Sequence, residues 1–165
     1  MCQNLWPDEL KILVIDDEQD ILNLIRLSLE QAGFRVIRTT KPEEGISMVL
    51  REKPDLLVLD IMMPDMDGLE LLRRVRRHPT MGKIPAIIIS ARASTVGQQR
   101  MLHLTLSDQE EVDACLGKPF NPGALLQTVK DVLIKHKAFI LEKNNHPKKP
   151  WEQHHAVLQN PGRAA

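Results

Sequence analysis

The chain has 165 residues, with 22 Lys and Arg balanced by 22 Asp and Glu. That length can build one domain with a real core, and the balance leaves no basic footprint for nucleic acid. No apolar run reaches the roughly 20 residues that span a bilayer. Cys2 and Cys115 stand far apart and form no CxxC, so neither a disulfide framework nor a zinc site is expected. Met1–Asp8 lacks the basic-then-apolar pattern of a signal peptide, and a cytoplasmic protein is the expectation.

Short apolar runs alternate with longer amphipathic stretches, the pattern of βα units around a parallel sheet. Residues 1–9 read as an extension. Lys11–Ile15 is a first strand, and Gln19–Ala32 is a helix with Gly33 as its stop. Arg35–Thr39 is a second strand. Pro42 suits the first turn of a helix to about Arg51. Leu56–Leu59 is a continuous apolar run, as expected of a central strand covered on both faces. A loop, Met62–Gly68, leads into a helix from about Leu69 to His78. Ala86–Ile89 is a fourth strand, Thr95–Leu106 a weak helix and Ala114–Gly117 a fifth strand. Asn121-Pro122 caps a last helix carrying Leu126, Val129 and Leu133 at helical spacing. The domain is expected to span residues 10–141, and 142–165 reads as a polar, flexible tail.

The chemistry stands where these runs end. The first runs into Asp16-Asp17, the third into Asp60 and the fifth into Lys118-Pro119. In a parallel sheet those ends share one edge, where open α/β folds bind ligands. Three carboxylates and an ammonium converging there call for a divalent cation and a phosphoryl group. Taken singly the residues are less telling, since an acid after a strand is as often a helix N-cap. Asp65 and Asp67 read as turn and cap residues rather than ligands. Gly68, after a polar loop, suits positive φ.

Val14–Glu18, Leu57–Gly68, Ile88–Ala91 and Lys118–Phe120 together resemble the receiver domain of two-component response regulators. The resemblance covers about Lys11 to Ile140. It implies a doubly wound five-stranded parallel sheet of order 2-1-3-4-5 with five helices, as in flavodoxin-like folds. It implies that Asp60 accepts a phosphoryl group from a sensor histidine kinase or a histidine phosphotransfer protein. Asp16, Asp17, Asp60 and the Met62 main-chain carbonyl would hold Mg²⁺, with Mn²⁺ as an alternative. A hard cation with oxygen ligands relieves the repulsion among the three carboxylates. A carboxylate attacking phosphorus gives an acyl phosphate. Lys118 and the Ser90 hydroxyl are assigned to the equatorial oxygens, where charge builds. Ala91 would matter by its smallness, and the Lys118-Pro119 peptide would be cis, aiming the ammonium inward.

Such a protein catalyses only its own phosphorylation and dephosphorylation. It reads as a stand-alone receiver acting on an unknown downstream protein, without direct contact to nucleic acid or membrane, as a monomer or a phosphorylation-dependent dimer. The alternatives are a phosphorelay intermediate and a degenerate receiver serving as a phosphorylation-independent scaffold. A haloacid-dehalogenase-like phosphohydrolase would need a second Asp where Met62 stands. A flavodoxin-like cofactor binder would need a Gly, Ser or Thr-rich loop in place of Asp16-Asp17-Glu18.

Three departures from the family pattern stand out. Cys115 occupies the place, three before Lys118, of the aromatic residue that usually swings inward on activation, and the chain has no Tyr. The Ser90-to-Lys118 spacing exceeds that of most receivers, so the fourth helix or its loop, within 95–113, is expected to be extended. Met62 and Arg92 occupy the positions that tune hydrolysis. Met62 orients water poorly and Arg92 screens the phosphoryl group, so slow self-dephosphorylation is expected. A phosphorylated lifetime of seconds would count against it. Arg73, Arg74, Arg76 and Arg77 read as a solvated helix face.

Overall fold

A computed structural model describes residues 10–91 and 112–145. The expected helix at Thr95–Leu106, Arg92 and the N-terminal extension lie outside the described residues. Five parallel strands form one sheet: β1 (Lys11–Ile15), β2 (Arg35–Thr39), β3 (Leu56–Asp60), β4 (Ala86–Ser90) and β5 (Ala114–Gly117). Their order is β2-β1-β3-β4-β5, as the sequence reading has it. The described helices are α1 (Gln19–Glu30), α2 (Pro42–Glu52), α3 (Gly68–Arg76) and α4 (Pro122–Asn145).

Strand side chains alternate between faces, and the core divides accordingly. Ile12, Val14, Leu56, Val58, Ile87 and Ile89 pack with Leu22, Ile25 and Leu29 of α1 and Leu125, Val129 and Val132 of α4. Their neighbours Leu13, Ile15, Leu57, Leu59 and Ile88 pack with Met48 and Val49 of α2 and Leu71, Leu72 and Val75 of α3. β3 is buried along its whole length. Each such Leu or Ile contributes roughly 1.5–3 kcal/mol on burial.

Aspartates pin the opposite, amino-terminal edge. Asp55 and Asp113 each exchange two bonds with the first residue of the neighbouring strand. Asp55 Oδ2 accepts from the Lys11 N–H at 2.8 Å, and Asp113 Oδ2 from the Ala86 N–H at 2.8 Å. Their own N–H groups donate to the Lys11 and Ala86 carbonyls.

Helix boundaries differ from the sequence reading at several ends, α3 among them, which stops at Arg76 rather than His78. α1 stops at Glu30, because the chain turns through Gln31 and Ala32 into Gly33 at φ 91°. α3 begins at Gly68, where the Asp67 carboxylate accepts from the Leu69 N–H at 2.8 Å and so acts as a cap. α4 runs to Asn145, past residue 141 where the domain was expected to end. Glu142 and Lys143 are good helix formers, and extending an existing helix by one residue needs no burial. By its contacts the chain divides at Leu133 and Ile134, and the sheet lies in the first unit.

Candidate functional site

β1 pairs with β2 on one side and β3 on the other, so the crevice beyond their carboxyl ends is the topological switch point. Ile15 pairs with Leu59, which sets Asp16 beside Asp60. Asp60 itself pairs with Ile89, and Ser90 pairs with Gly117. β4 therefore lies between β3 and Lys118, and only a long side chain could cross it. The Lys118 N–H anchors to the Ser90 carbonyl at 3.0 Å, and its Nζ reaches Asp60 Oδ2 at 3.2 Å. The Lys118-Pro119 peptide is cis.

Nζ also lies 2.9 Å from Glu18 Oε1 and 2.8 Å from Asp16 Oδ2. The Asp16 contact is an ion pair without hydrogen-bond geometry, which leaves Oδ2 as a buried oxygen lacking a hydrogen bond. Asp16 Oδ1 accepts from the Glu18 N–H at 2.9 Å, and Asp60 Oδ1 from the Met62 N–H at 3.2 Å. Both carboxylates are thus aimed by main-chain donors two residues on. One oxygen from each of Asp16, Asp17 and Asp60 lies within 4.8 Å of the others. Asp16 and Asp60 are buried, and Asp17 is exposed.

Burial raises Asp16 above the ordinary carboxylate range, against the pull of Lys118 and the Glu18 N–H. Desolvation also raises Asp17, with the Asp60 charge adding to it. For Lys118, burial would favour the neutral amine, but its contacts with Asp16 and Glu18 outweigh that and hold it above its usual value. The site is therefore a set of hard oxygen donors with one unsatisfied buried oxygen. That donor set fits a small hard cation.

Ser90 is fully buried at the end of β4, and Ala91 is exposed. The Met62 side chain is half exposed. Cys115, beside Ile88, packs against the cluster under α2 and α3. Burial pushes its thiol up to about 11, so it sits there as a neutral, packing side chain. The α3 arginines are engaged locally. Arg74 bridges Glu70 and Glu43, Arg73 contacts Glu70, and Arg76 donates to the Gly82 and Ile84 carbonyls.

Gly68 does not take positive φ; among the described glycines only Gly33 does. A Cβ there would stand 2.0 Å from the Asp60 carbonyl oxygen. Its lack of a side chain lets α3 begin directly against the end of β3, where its N–H donates to the Ile61 carbonyl at 3.0 Å. Glu18 was the residue the sequence reading passed over. The signal was a third acid directly after the Asp16-Asp17 pair.

This edge, with its three aspartates, serine and lysine on a 2-1-3-4-5 sheet, defines a receiver. The family model for the response regulator receiver domain matches residues 12–130, and the chain belongs to that family. It is 35% identical over 123 residues to the alkaline phosphatase synthesis transcriptional regulatory protein PhoP of Bacillus subtilis, covering 74% of this chain and 48% of that protein. It is 38% identical over 126 residues to an uncharacterized 14.6 kDa protein of Leptolyngbya boryana, covering 76% and 92%. The chain thus spans about half the length of the first relative and most of the second. Among solved structures it is similar to the chemotaxis response regulator CheY4 of Vibrio cholerae, with 25% identity, a TM-score of 0.63 and coverage of 74% and 97%. A CheY-like receiver domain protein of Methanospirillum hungatei gives 28%, 0.65, 78% and 96%.

Proposed function

We propose that this receiver is a phosphorylation-controlled signalling module whose acceptor is Asp60. The observation that supports it most is the convergence of Asp16, Asp17 and Asp60 oxygens within 4.8 Å, with the Lys118 ammonium in contact with two of those side chains. A histidine kinase or histidine phosphotransfer protein is the donor, and the chain's own residues do the rest. Asp60 Oδ1 is held by the Met62 N–H, so Oδ2 is the oxygen directed at the Lys118 side of the crevice and the nucleophile in an in-line attack. The phosphorus–nitrogen bond of the donor's phosphohistidine breaks as the bond to Asp60 forms, and the imidazole leaves with the electron pair. Asp16, Asp17, Asp60 and the Met62 carbonyl would hold Mg²⁺, or Mn²⁺ in its place. When bound, that ion neutralises charge on the transferring group and on the carboxylates around it.

Lys118 stabilises a second equatorial oxygen and Ser90 a third. Once Asp60 is phosphorylated, its ion pair with Lys118 is replaced by one to the phosphoryl group. That change, with Ser90 at the neighbouring strand end, is the local event a downstream partner reads. The protein turns over no external metabolite.

Incubation with acetyl phosphate, with and without Mg²⁺, tests this reading. Phosphate uptake should require the ion and be reversed by hydroxylamine, which cleaves acyl phosphates. Uptake that resisted hydroxylamine would place the phosphate on another kind of side chain.

A further inference from the structure

We infer that Glu18 is a positioning residue that holds Lys118 before phosphorylation and must release it for the transfer. The inference rests on the proposed phosphorylation of Asp60. An ammonium has three N–H donors. In this site Nζ faces three carboxylates, at 2.8 Å (Asp16), 2.9 Å (Glu18) and 3.2 Å (Asp60). Two of those contacts are hydrogen bonds, to Glu18 and Asp60, and the third is the close Asp16 ion pair, so an incoming phosphoryl oxygen meets a crowded ammonium and has to displace one partner.

The burial of the three decides which. Before the transfer, the Asp16 side chain, 1% exposed, and that of Asp60, 4% exposed, would each be left as a buried charge without its counter-ion; the Asp60 pair is given up only once the bond to phosphorus removes its charge. The Glu18 side chain is 59% exposed and can exchange the ammonium for water. With its carboxylate in water, this pair is weaker than one buried on both sides and costs less to break. Glu18 is also placed to let go without disturbing the carboxylates. Its main-chain N–H, rather than its side chain, orients Asp16, so the carboxylate can swing out while the Asp16 bond stays. Glu18 thus keeps Lys118 extended across β4 in the resting state and is the contact surrendered when the phosphoryl group arrives.

Removing the competing carboxylate should speed phosphorylation. For a pair whose carboxylate is in water the factor is about two to five. The simplest rival is that Glu18 only repels an anionic donor. Two donors separate these: acetyl phosphate, a dianion at neutral pH, and phosphoramidate, which carries less net charge. Initial rates of phosphate uptake, followed by intact mass in saturating Mg²⁺, would be compared for wild type and Glu18→Gln. The expected result is the same acceleration with both donors and a Tm no more than a few degrees below that of wild type. Acceleration confined to acetyl phosphate would overturn the inference in favour of simple repulsion. An unchanged or slower Glu18→Gln, with wild type phosphorylated normally, would overturn it while leaving Asp60 as the acceptor. No uptake by either protein from either donor would count against the underlying reading and take this one with it. Uptake by Glu18→Gln alone would be the expected result in its strongest form.

Discussion

Gly68→Ala should damage both the fold and the site, and the reason is the absence of space rather than of conformational freedom. The added Cβ would lie 2.0 Å from the Asp60 carbonyl oxygen, 2.9 Å from its carbonyl carbon and 3.0 Å from Ile61 Cα. All three atoms are main chain, so none can rotate aside. Either β3 shifts at the acceptor or α3 backs away, and the Gly68 N–H to Ile61 carbonyl bond is stretched. Overpacking of this kind costs about 2–3 kcal/mol, against which alanine's helix preference returns up to about 1 kcal/mol. The net loss is about 1–3 kcal/mol, a fall in Tm of roughly 3–15 °C for a domain of this size. Thermal unfolding followed by circular dichroism reads this directly. Gly123→Ala is the control, because its Cβ would meet only the Asn121 side-chain oxygen at 3.1 Å. Asp60 phosphorylation should slow in Gly68→Ala beyond any loss of folded protein. An equal or higher Tm for Gly68→Ala would refute the close-approach argument.

Lys53 ends α2 at φ 48°, a left-handed conformation that costs a side-chain-bearing residue about 1 kcal/mol or more, so Lys53→Gly should raise the urea midpoint modestly. A lowered midpoint would mean that the Lys53 side chain contributes more than its backbone costs. Cys115 titrates near 11 in the folded protein against 9.0 for a free thiol. A raised folded value means its stabilising contribution is full below about pH 9 and is lost as pH rises toward about 11. The alkaline fall in stability over that window should therefore be shallower in Cys115→Ala than in wild type, as measured by urea unfolding; parallel curves would contradict this. Lys118→Ala should still bind Mg²⁺, followed by amide shifts in a metal titration, yet lose the conformational response to phosphorylation. Lost metal binding would show that the assignment of roles is wrong.

Most of the fold was legible because the strands are apolar runs whose alternate residues feed two helix layers. Leu56–Leu59 reads as a central strand because a continuous apolar run wants cover on both faces, and the structure extends it through Asp60. The site was legible because its acids and lysine fall where those runs end, and parallel pairing brings such ends together. Gly68 was misread because a glycine reports two different needs, positive φ or a missing Cβ, and the sequence does not separate them. The Glu18 contact was missed because it joins residues 100 positions apart and depends on how far the Lys118 chain reaches across β4. An exposed acid after a strand otherwise reads as solvated. The run of α4 through Asn145 was not legible because polar residues can prolong an existing helix without an apolar pattern.

Whether Asp60 is the phosphoacceptor is decided most directly by intact mass after incubation with Mg²⁺ and acetyl phosphate, wild type beside Asp60→Asn. Wild type should gain one phosphate, and the folded Asp60→Asn protein should gain none, because an amide is not a competent nucleophile. Phosphate gained equally by both proteins would contradict the assignment and move the acceptor to another residue.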